Sequence, residues 1–341
     1  MSSNALAREP AWQDLEPGLP QWALAEPAES ARVLEAAGLA GSVSVLSFDG
    51  VPQRMFRIDS AANPPVFLKQ IPPERRAVAI RAEAIGHWLA SQGVHAASAL
   101  AGFPKPLADG GLVVAMPYLQ GRRLSATLGD CAALGQSVAA FHTALARHPA
   151  KEQWRVHTGT RLAELTSIRA DCATGRLTVG PEPEFLRILA SERAIDFTGL
   201  GLHAQPLHGD LNPGNTLFVD GQPLLLDFED VFHSVLPVRF ELALMIERFI
   251  LVRVNDEAAA SLGRAMLQSY DAGVDKKPQE IETDPVDVFR ALALRSLCVL
   301  ALAASKGTSI SDGEWRKFSR LERQARERAQ TIRAIFRDAA L

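Results

Sequence analysis

The chain has 341 residues, of which 47% are hydrophobic and 22% charged, with a formal net charge of -3. This length suits two domains, and the near-neutral charge argues against a nucleic acid or an anionic membrane as a partner. The three cysteines lack CxxC spacing, so we expect no disulfide framework, no zinc site and a cytoplasmic location. No apolar run reaches the roughly 18 residues that span a bilayer.

The first elements predict an arm followed by a small sheet lobe. Residues 1–30 carry four prolines and two tryptophans, which indicates an extended arm, either docked through the tryptophans or loose. A short helix is expected at 29–37, and alternating apolar residues predict strands at 42–48, 53–58 and 66–70. Lys69 interrupts the third strand, and a lysine in such a run needs a partner.

A helix and a further strand complete this lobe, to which we assign residues 31–120. Pro72 and Pro73 open a helix that runs to about Ser91, because proline is favoured at the first helical position. Its predicted buried stripe consists of Ile80, Ala84, Ile85, Trp88 and Leu89. Glu83 lies beside the stripe and can face inward. An apolar strand follows at 112–119 and ends near Gly121, where we place a hinge.

Residues 121–341 are mostly helical in pattern and form the second predicted domain. Apolar residues at helical spacing predict helices at 131–148, 161–169, 184–195, 238–254, 258–270, 285–304 and 314–339. The run at 291–304 contains Arg295 and Ser296 and predicts a buried helix rather than a membrane span.

Between these helices lies the most informative stretch, a polar loop with the sequence HGDLNPGN at 208–215. Two apolar runs follow, joined by Asp220-Gly221, and Asp-Gly between such runs is a strong signal for a tight hairpin. The second run ends at Asp227. Asp210, Asn215 and Asp227 thus supply oxygen atoms suited to Mg²⁺ and phosphate chemistry.

The H-x-D-x-x-x-x-N spacing, a later Asp and a lysine–glutamate pair in a preceding lobe resemble the parts of a protein kinase. Gly209 stands where protein kinases have arginine, and Glu229 follows Asp227-Phe228 in place of glycine. With these residues, the loop and the segment after it resemble those of the aminoglycoside phosphotransferase and choline kinase family. The resemblance implies an α+β, two-lobed, protein-kinase-like fold with a small antiparallel-sheet N-lobe and a large helical C-lobe.

The resemblance also implies roles for individual residues in the catalytic lobe. Asp210 would act as the base for the substrate hydroxyl, and Asn215 and Asp227 would bind Mg²⁺. His208 is expected to be structural. Glu241 stands where the family usually has an aspartate that supports the catalytic loop, and Phe141-His142 weakly matches a Leu-His pair of the family.

In the N-lobe the resemblance implies a nucleotide site. Lys69 would contact phosphates and pair with Glu83. A Gly-rich GxGxxG loop is absent, but a strand-turn-strand can still present backbone N–H groups to phosphate. Adenine would bond the hinge backbone, and ATP is expected, with GTP not excluded. The remaining nucleotide-binding residues are Ser47, Gly50 and Arg54 in the turn, and Met116, Tyr118 and Leu119 near the hinge.

The expected reaction is phosphoryl transfer to a hydroxyl of a small molecule, such as a sugar, amino sugar or amino alcohol. The low aromatic content, 6%, does not favour an aromatic cage for choline. A protein Ser/Thr kinase and a regulatory nucleotide-binding pseudokinase are the alternatives, and the acceptor and the oligomeric state stay open. Candidate acceptor residues are Glu229, Asp230, His233, Glu247, Arg248, Asp287, Arg290 and Trp315.

Overall fold

The computed structural model describes residues 22–46, 54–180, 188, 204–274 and 283–337. Internal contacts divide the chain into two units. We call the described residues of Pro17–Arg123 and Thr216–Glu229 the sheet lobe, and those of Leu124–Asn215 and Asp230–Leu341 the helical lobe. The predicted boundaries, 31–120 and 121–341, differ from this division mainly in the segment 216–229. Ser47, Gly50 and most of the helix predicted at 184–195 lie outside the described residues.

The described part of the sheet lobe contains one antiparallel sheet of six strands in the order β1-β2-β3-β4-β6-β5. A helix α1 (Pro27–Ala37) precedes β2, and a helix α2 (Arg76–Ser91) follows β4 after a 3₁₀ turn. The strands are β1 (Trp22–Leu24), β2 (Ser42–Leu46), β3 (Arg54–Asp59), β4 (Val66–Ile71), β5 (Lys105–Pro106) and β6 (Leu112–Pro117).

The predicted arm at 1–30 is wrong for its last residues. Trp22 lies opposite Leu46 in an edge strand of the sheet, and Pro27 begins α1 rather than ending an arm. The physical reason is that proline lacks a hydrogen-bonding N–H and is pre-set for the first helical turn.

The two helices cover opposite faces of the sheet, because side chains alternate along a strand. Val33 of α1 packs with Phe56 and Leu68 on one face. Ala79 of α2 packs with Ile71 and other buried residues on the opposite face.

The buried side of α2 was predicted with two errors. Ile80 is 43% exposed and Ala84 is exposed. The buried residues are Ala79, Ala82, Ile85, Gly86 and Leu89. Helical spacing alone is compatible with either of two adjacent stripes of α2 as the buried one. The structure buries the stripe with small residues, which allow the helix to approach its neighbours closely.

The hairpin at Thr216–Val219 and Gln222–Leu225 forms as expected. Asp220 and Gly221 both have positive φ angles, 50° and 77°, as a tight two-residue turn requires. The backbone N–H of Leu225 donates to His95 at 3.1 Å, and that of Ala97 donates to Leu225 at 2.8 Å. The hairpin is therefore bonded to the segment that follows α2, within the sheet lobe.

The helical lobe contains, among its described residues, seven α-helices and a ladder of two short strands, Gln205–Pro206 and Val235–Leu236. The helix predicted at 314–339 is two helices that meet at Arg328. A π-helical turn, Glu247–Leu251, extends the helix that begins at Val238. The α-helices are α3 (Leu128–Ala146), α4 (Lys151–Ala173), α5 (Val238–Ile246), α6 (Asp256–Gly273), α7 (Pro285–Ser305), α8 (Asp312–Glu327) and α9 (Ala329–Phe336).

Helix α7 is the most apolar element of this lobe. By length and composition alone it could cross a membrane, and within the described residues it is the one helix that could. More than half of its most apolar stretch is buried, and it packs against α4, α5 and α8. Core helices pass the same test of length and composition, so the test is a weak indication of a membrane span.

Candidate active site

A buried carboxylate holds the backbone of the polar loop. The N–H groups of His208 and Gly209 donate to Oε2 and Oε1 of Glu241, each at 2.7 Å. Glu241 is only 1% exposed. Burial raises the pKa of its carboxyl, but the hydrogen bonds and charges around it outweigh burial, and the net shift is downward. Glu241 thus stays ionised and fixes the loop in the way expected of the residue at this position.

Two further buried residues extend this contact. Nε2 of His142, on α3, lies 2.8 Å from Oε2 of Glu241. Nδ1 of the same ring lies 2.9 Å from the hydroxyl oxygen of Tyr270. The simplest protonation state has Nε2–H donating to Glu241 and Nδ1 accepting from Tyr270. Sequence reasoning singled out His142 only by its weak match to the family. Its place on an otherwise apolar helix face was the usable signal, whereas Tyr270 gave none.

The loop itself brings Asp210 and Asn215 together. The amide Nδ2 of Asn215 donates to the carbonyl oxygen of Asp210 at 2.8 Å and to its Oδ2 at 3.1 Å. Asn212 accepts the N–H of Gly214 at 2.7 Å, which closes the turn between them. The Asp210 carboxylate also bonds to the side chain of Asn212, so both asparagines of the loop help to hold it.

The electrostatic surroundings of Asp210 are mixed. Its pKa is raised, because neighbouring atoms desolvate the carboxyl and the Asp230 charge repels it. His208 and Arg248 oppose this shift. The residue as a whole nonetheless remains exposed, so solvent and a substrate can reach it.

Gly209 is required by both backbone and space. Its φ is 86°, and a Cβ there would lie 2.0 Å from Oγ of Ser234 and 3.2 Å from Cβ of Asp230. No side chain fits at that distance, so the arginine found here in protein kinases could not be accommodated. The same close approach puts Asp230 beside the loop.

The sheet lobe holds a separate cluster of charges. Lys69 lies on β4, paired with Met55 and Val114. Burial raises the pKa of Glu83 to about 7, the Lys69 charge opposes this shift, and the charges of Asp227 and Glu229 add to it. Lys69, Glu83, Asp227 and Glu229 therefore share one neighbourhood, although the ion pairs of the described residues do not include one between Lys69 and Glu83.

Glu229 belongs to this cluster rather than to the acceptor residues among which it was predicted. Arg75, in the 3₁₀ turn before α2, donates to its Oε2 in a close ion pair. Burial raises the pKa of Glu229, as does the charge of Asp227, whereas Arg75 and Lys69 lower it. Asp227 has a φ of 61°, an uncommon value for a residue with a side chain that is often found at functional sites.

A model of the phosphotransferase enzyme family, APH, matches residues 44–274, which is more than half of the chain. The chain belongs to the APH family of phosphotransferases. No curated protein sequence matches this chain significantly.

Solved structures of kinases and phosphotransferases resemble the APH-family chain in fold. Amicoumacin kinase hAmiN in complex with AMP-PNP, Ca²⁺ and Ami is 16% identical, with a TM-score of 0.55, and 88% of this chain and 93% of that chain are covered. Macrolide 2'-phosphotransferase MphH from Brachybacterium faecium is 17% identical, with a TM-score of 0.53 and coverage of 91% and 98%. Choline kinase from Cryptosporidium parvum Iowa II is 12% identical, with a TM-score of 0.52 and coverage of 84% and 89%. The expected α+β, kinase-like fold is confirmed.

The structure places Arg54 on the face of the APH-family sheet opposite to that of Lys69. Arg54 is paired with Gln70, one position away from the pair of Met55 and Lys69. Because neighbouring residues on a strand point to opposite faces, Arg54 faces away from Lys69. It forms an ion pair of 2.5 Å with Glu29 of α1, so the prediction that it contacts nucleotide phosphate is wrong for this conformation.

The predicted hinge residues of the APH-family chain are mostly engaged within the sheet lobe. The N–H of Tyr118 donates to Pro65 at 2.9 Å, and the guanidinium of Arg57 lies 4.4 Å from the centre of the Tyr118 ring. Met116 packs against the core beside α2, and Leu119 is 38% exposed. Adenine binding by Met116, Tyr118 and Leu119 stays a prediction.

The remaining acceptor candidates divide into two groups. All seven lie in the helical lobe. In the first group, Asp230, His233, Glu247 and Arg248, two residues act electrostatically on Asp210, namely Asp230 and Arg248. The others are occupied elsewhere: Arg290 pairs with Asp287 and Glu322, and Trp315 is 4% exposed.

The residues expected to bind a metal ion suit Mg²⁺ chemically. Within the described residues, no group of three or more His, Cys, Asp or Glu could hold a metal ion by itself. Mg²⁺ usually takes one or two protein oxygens and completes its shell with phosphate and water. Asn215 fits this pattern, because its Nδ2 is committed to Asp210 and its Oδ1 remains a ligand atom. Asp227 supplies a carboxylate.

Proposed function

We propose that this phosphotransferase moves the γ-phosphoryl group of ATP to a hydroxyl of a small molecule, with Mg²⁺ as the cofactor. The observation that carries the proposal is the loop held by Glu241, in which Asn215 bonds to Asp210. The fold neighbours include a kinase in complex with AMP-PNP and Ca²⁺ and a macrolide phosphotransferase. We infer a sugar, amino sugar or amino alcohol as the acceptor.

Asp210 acts as the base in this proposal. Asn215 bonds to its Oδ2, and the acceptor capacity that remains on the carboxylate would orient the acceptor hydroxyl and accept its proton. The raised pKa of Asp210 makes its carboxylate a better proton acceptor than that of an ordinary aspartate. Fixing the loop backbone through Glu241 keeps the Asp210 carboxylate in one position, which matters because phosphoryl transfer depends mainly on positioning and charge.

The sheet lobe supplies the phosphate-binding groups. Lys69 provides a positive charge, and Glu83 restrains it electrostatically. Asn215 and Asp227 would hold Mg²⁺, which when bound neutralises phosphate charge. Arg75 keeps Glu229 paired beside Asp227 and so limits repulsion of the incoming phosphates.

The test is a coupled assay of ADP release over aminoglycosides, amino sugars, choline, homoserine and hexoses. Asp210→Asn should lower acceptor-dependent release about 10²–10⁴-fold and leave ATP binding unchanged. Asp312→Asn is the matched control, because Asp312 is exposed and its ion pair with Arg316, at 3.8 Å, is a long one. Undiminished release in Asp210→Asn would refute the role of the base. If label from ATP is transferred to protein and to none of these small molecules, the alternative of a protein Ser/Thr kinase is favoured.

A further inference from the structure

The apolar helix α7 carries one charged side chain in its middle that lacks a partner among the described residues. Arg295 lies between Leu294 and Ser296, and its Nε is buried and makes no hydrogen bond. The ion pairs and hydrogen bonds of the described residues do not include it. The residue as a whole is half-buried. Burying part of a charged group without a partner is costly, and burial lowers the pKa of Arg295 accordingly. A cation without a hydrogen-bonded partner can bind an anionic group that a ligand supplies.

The groups that interact with Arg295 show where its charge is directed. Asp230 and Asp210 attract it, and Arg161 repels it. Helix α7 packs on α4, which carries Arg161, and on α5. Asp230 lies beside Gly209. Arg295 therefore acts on the end of the loop where Asp210 is presented, within the same lobe.

The neighbouring guanidinium groups differ from Arg295 in having partners of their own. Arg161 bonds to Glu164 at 3.4 Å. The Nε of Arg248 lies 3.2 Å from Oε2 of Glu247. Both nevertheless add positive potential near the loop, since Arg248 lowers the pKa of Asp210 and Arg161 repels Arg295. The unpartnered cation thus lies in a region already rich in arginine.

We propose, on the basis of the transferase activity above, that the acceptor carries an anionic oxyacid group that binds Arg295 while its hydroxyl lies at Asp210. The planar guanidinium matches a carboxylate or a phosphate through two parallel hydrogen bonds. Among the sugars, amino sugars and amino alcohols proposed above, this narrows the acceptor to members that also carry an acidic group. Polycationic aminoglycosides and choline would be repelled by Arg161, Arg248 and Arg295.

A competing explanation makes Arg295 a counter-ion of Asp230 and Asp210 only. In that case its removal would disturb the loop and weaken every acceptor equally. In the proposed role, removal weakens anionic acceptors selectively and leaves neutral ones unchanged. The two explanations therefore differ in the pattern across acceptors of matched shape.

The experiment measures binding by calorimetry for four ligands with related carbon skeletons: gluconate, glucose 6-phosphate, glucose and glucosamine. The proteins are the wild type, Arg295→Met, Arg295→Lys and the control Arg176→Met, because Arg176 is exposed just beyond α4. We expect an anionic ligand to bind at least about 10-fold more tightly than glucose or glucosamine. Arg295→Met should weaken it about 10- to 100-fold, Arg295→Lys less, and Arg176→Met not at all.

The outcomes separate the two proposals. Tighter binding of gluconate identifies the acceptor's anionic group as a carboxylate, and tighter binding of glucose 6-phosphate identifies it as a phosphate. Equal binding of all four ligands, no binding of either anion, or equal weakening of all four by Arg295→Met overturns the inference. Arg295-dependent anion binding without ADP release from any acceptor would support the anion site and count against the transferase. Arg295→Met should melt at or above the wild-type temperature, which shows that the variant folds.

Discussion

Replacing Glu241 with glutamine tests how the catalytic loop is held. The carboxylate accepts three hydrogen bonds, from the N–H groups of His208 and Gly209 at 2.7 Å and from Nε2 of His142 at 2.8 Å. Glutamine keeps the size of the side chain but turns one oxygen into an NH₂ group. That group would face donors, so at least one of the three donors loses its acceptor in a site that is almost fully buried.

The magnitude follows from these contacts. A buried donor without an acceptor costs about 1–3 kcal/mol, and hydrogen bonds to a charged acceptor are stronger than those to a neutral one. We therefore expect Glu241→Gln to lower the free energy of unfolding by about 2–4 kcal/mol. For a lobe of this size the melting temperature should fall by roughly 4–16 °C. Glu241→Asp should also be impaired, because a side chain shorter by about 1.5 Å moves away from both N–H groups.

The assay combines thermal melts with steady-state kinetics, and Glu327→Gln is the matched control on an exposed position. Glu241→Gln should lower kcat as well as stability, since Asp210 and Asn215 depend on the same backbone. A Glu241→Gln variant that melts and turns over like the wild type would refute the idea that this carboxylate fixes the loop.

Three other predictions concern single positions. Glu83 has a usual pKa of 4.5 and a folded-state pKa of about 7, so the free energy of unfolding should fall by up to about 3 kcal/mol between pH 4.5 and 7. Glu83→Gln should remove this slope in melts from pH 4.5 to 8, and an unchanged slope would contradict the assignment. Gly209→Ala should cost more than about 2 kcal/mol, because its Cβ would strike Ser234, and denaturant melts should show partial recovery with Ser234→Gly. Gly221→Ala, with a positive φ but no atom within 4 Å, should cost only about 1 kcal/mol, and an equal loss at both glycines would show that contact with Ser234 is not the cause.

Local patterns predicted the elements that depend on neighbouring residues. The Asp220-Gly221 turn, the strand that carries Lys69 and the helix that ends at Ser91 follow from turn chemistry, alternation and helix-breaking residues, and the structure has them at or near the expected positions. The inward position of Glu83 was also expected, because it lies next to an apolar stripe.

Positions that depend on packing could not be predicted in the same way. The exposed side of α2 at Ile80 and the face on which Arg54 lies were set by register and by the neighbouring helices. The contacts of His142 with Tyr270 and of Arg75 with Glu229 join residues more than 100 positions apart. No local pattern in the sequence identifies such partners.

The grouping of the hairpin with the sheet lobe has a consequence for how the chain can fold during synthesis. The hairpin strands at 216–225 bond to His95 and Ala97, yet the ribosome makes more than 90 residues of the helical lobe before it makes the hairpin. Domains generally fold as units as they emerge. The sheet lobe must therefore wait, with the backbone groups of this segment unpaired, until residues near Glu229 have left the ribosome. A fragment that ends at Arg123 should accordingly be less protected from proteolysis around His95 than the full chain.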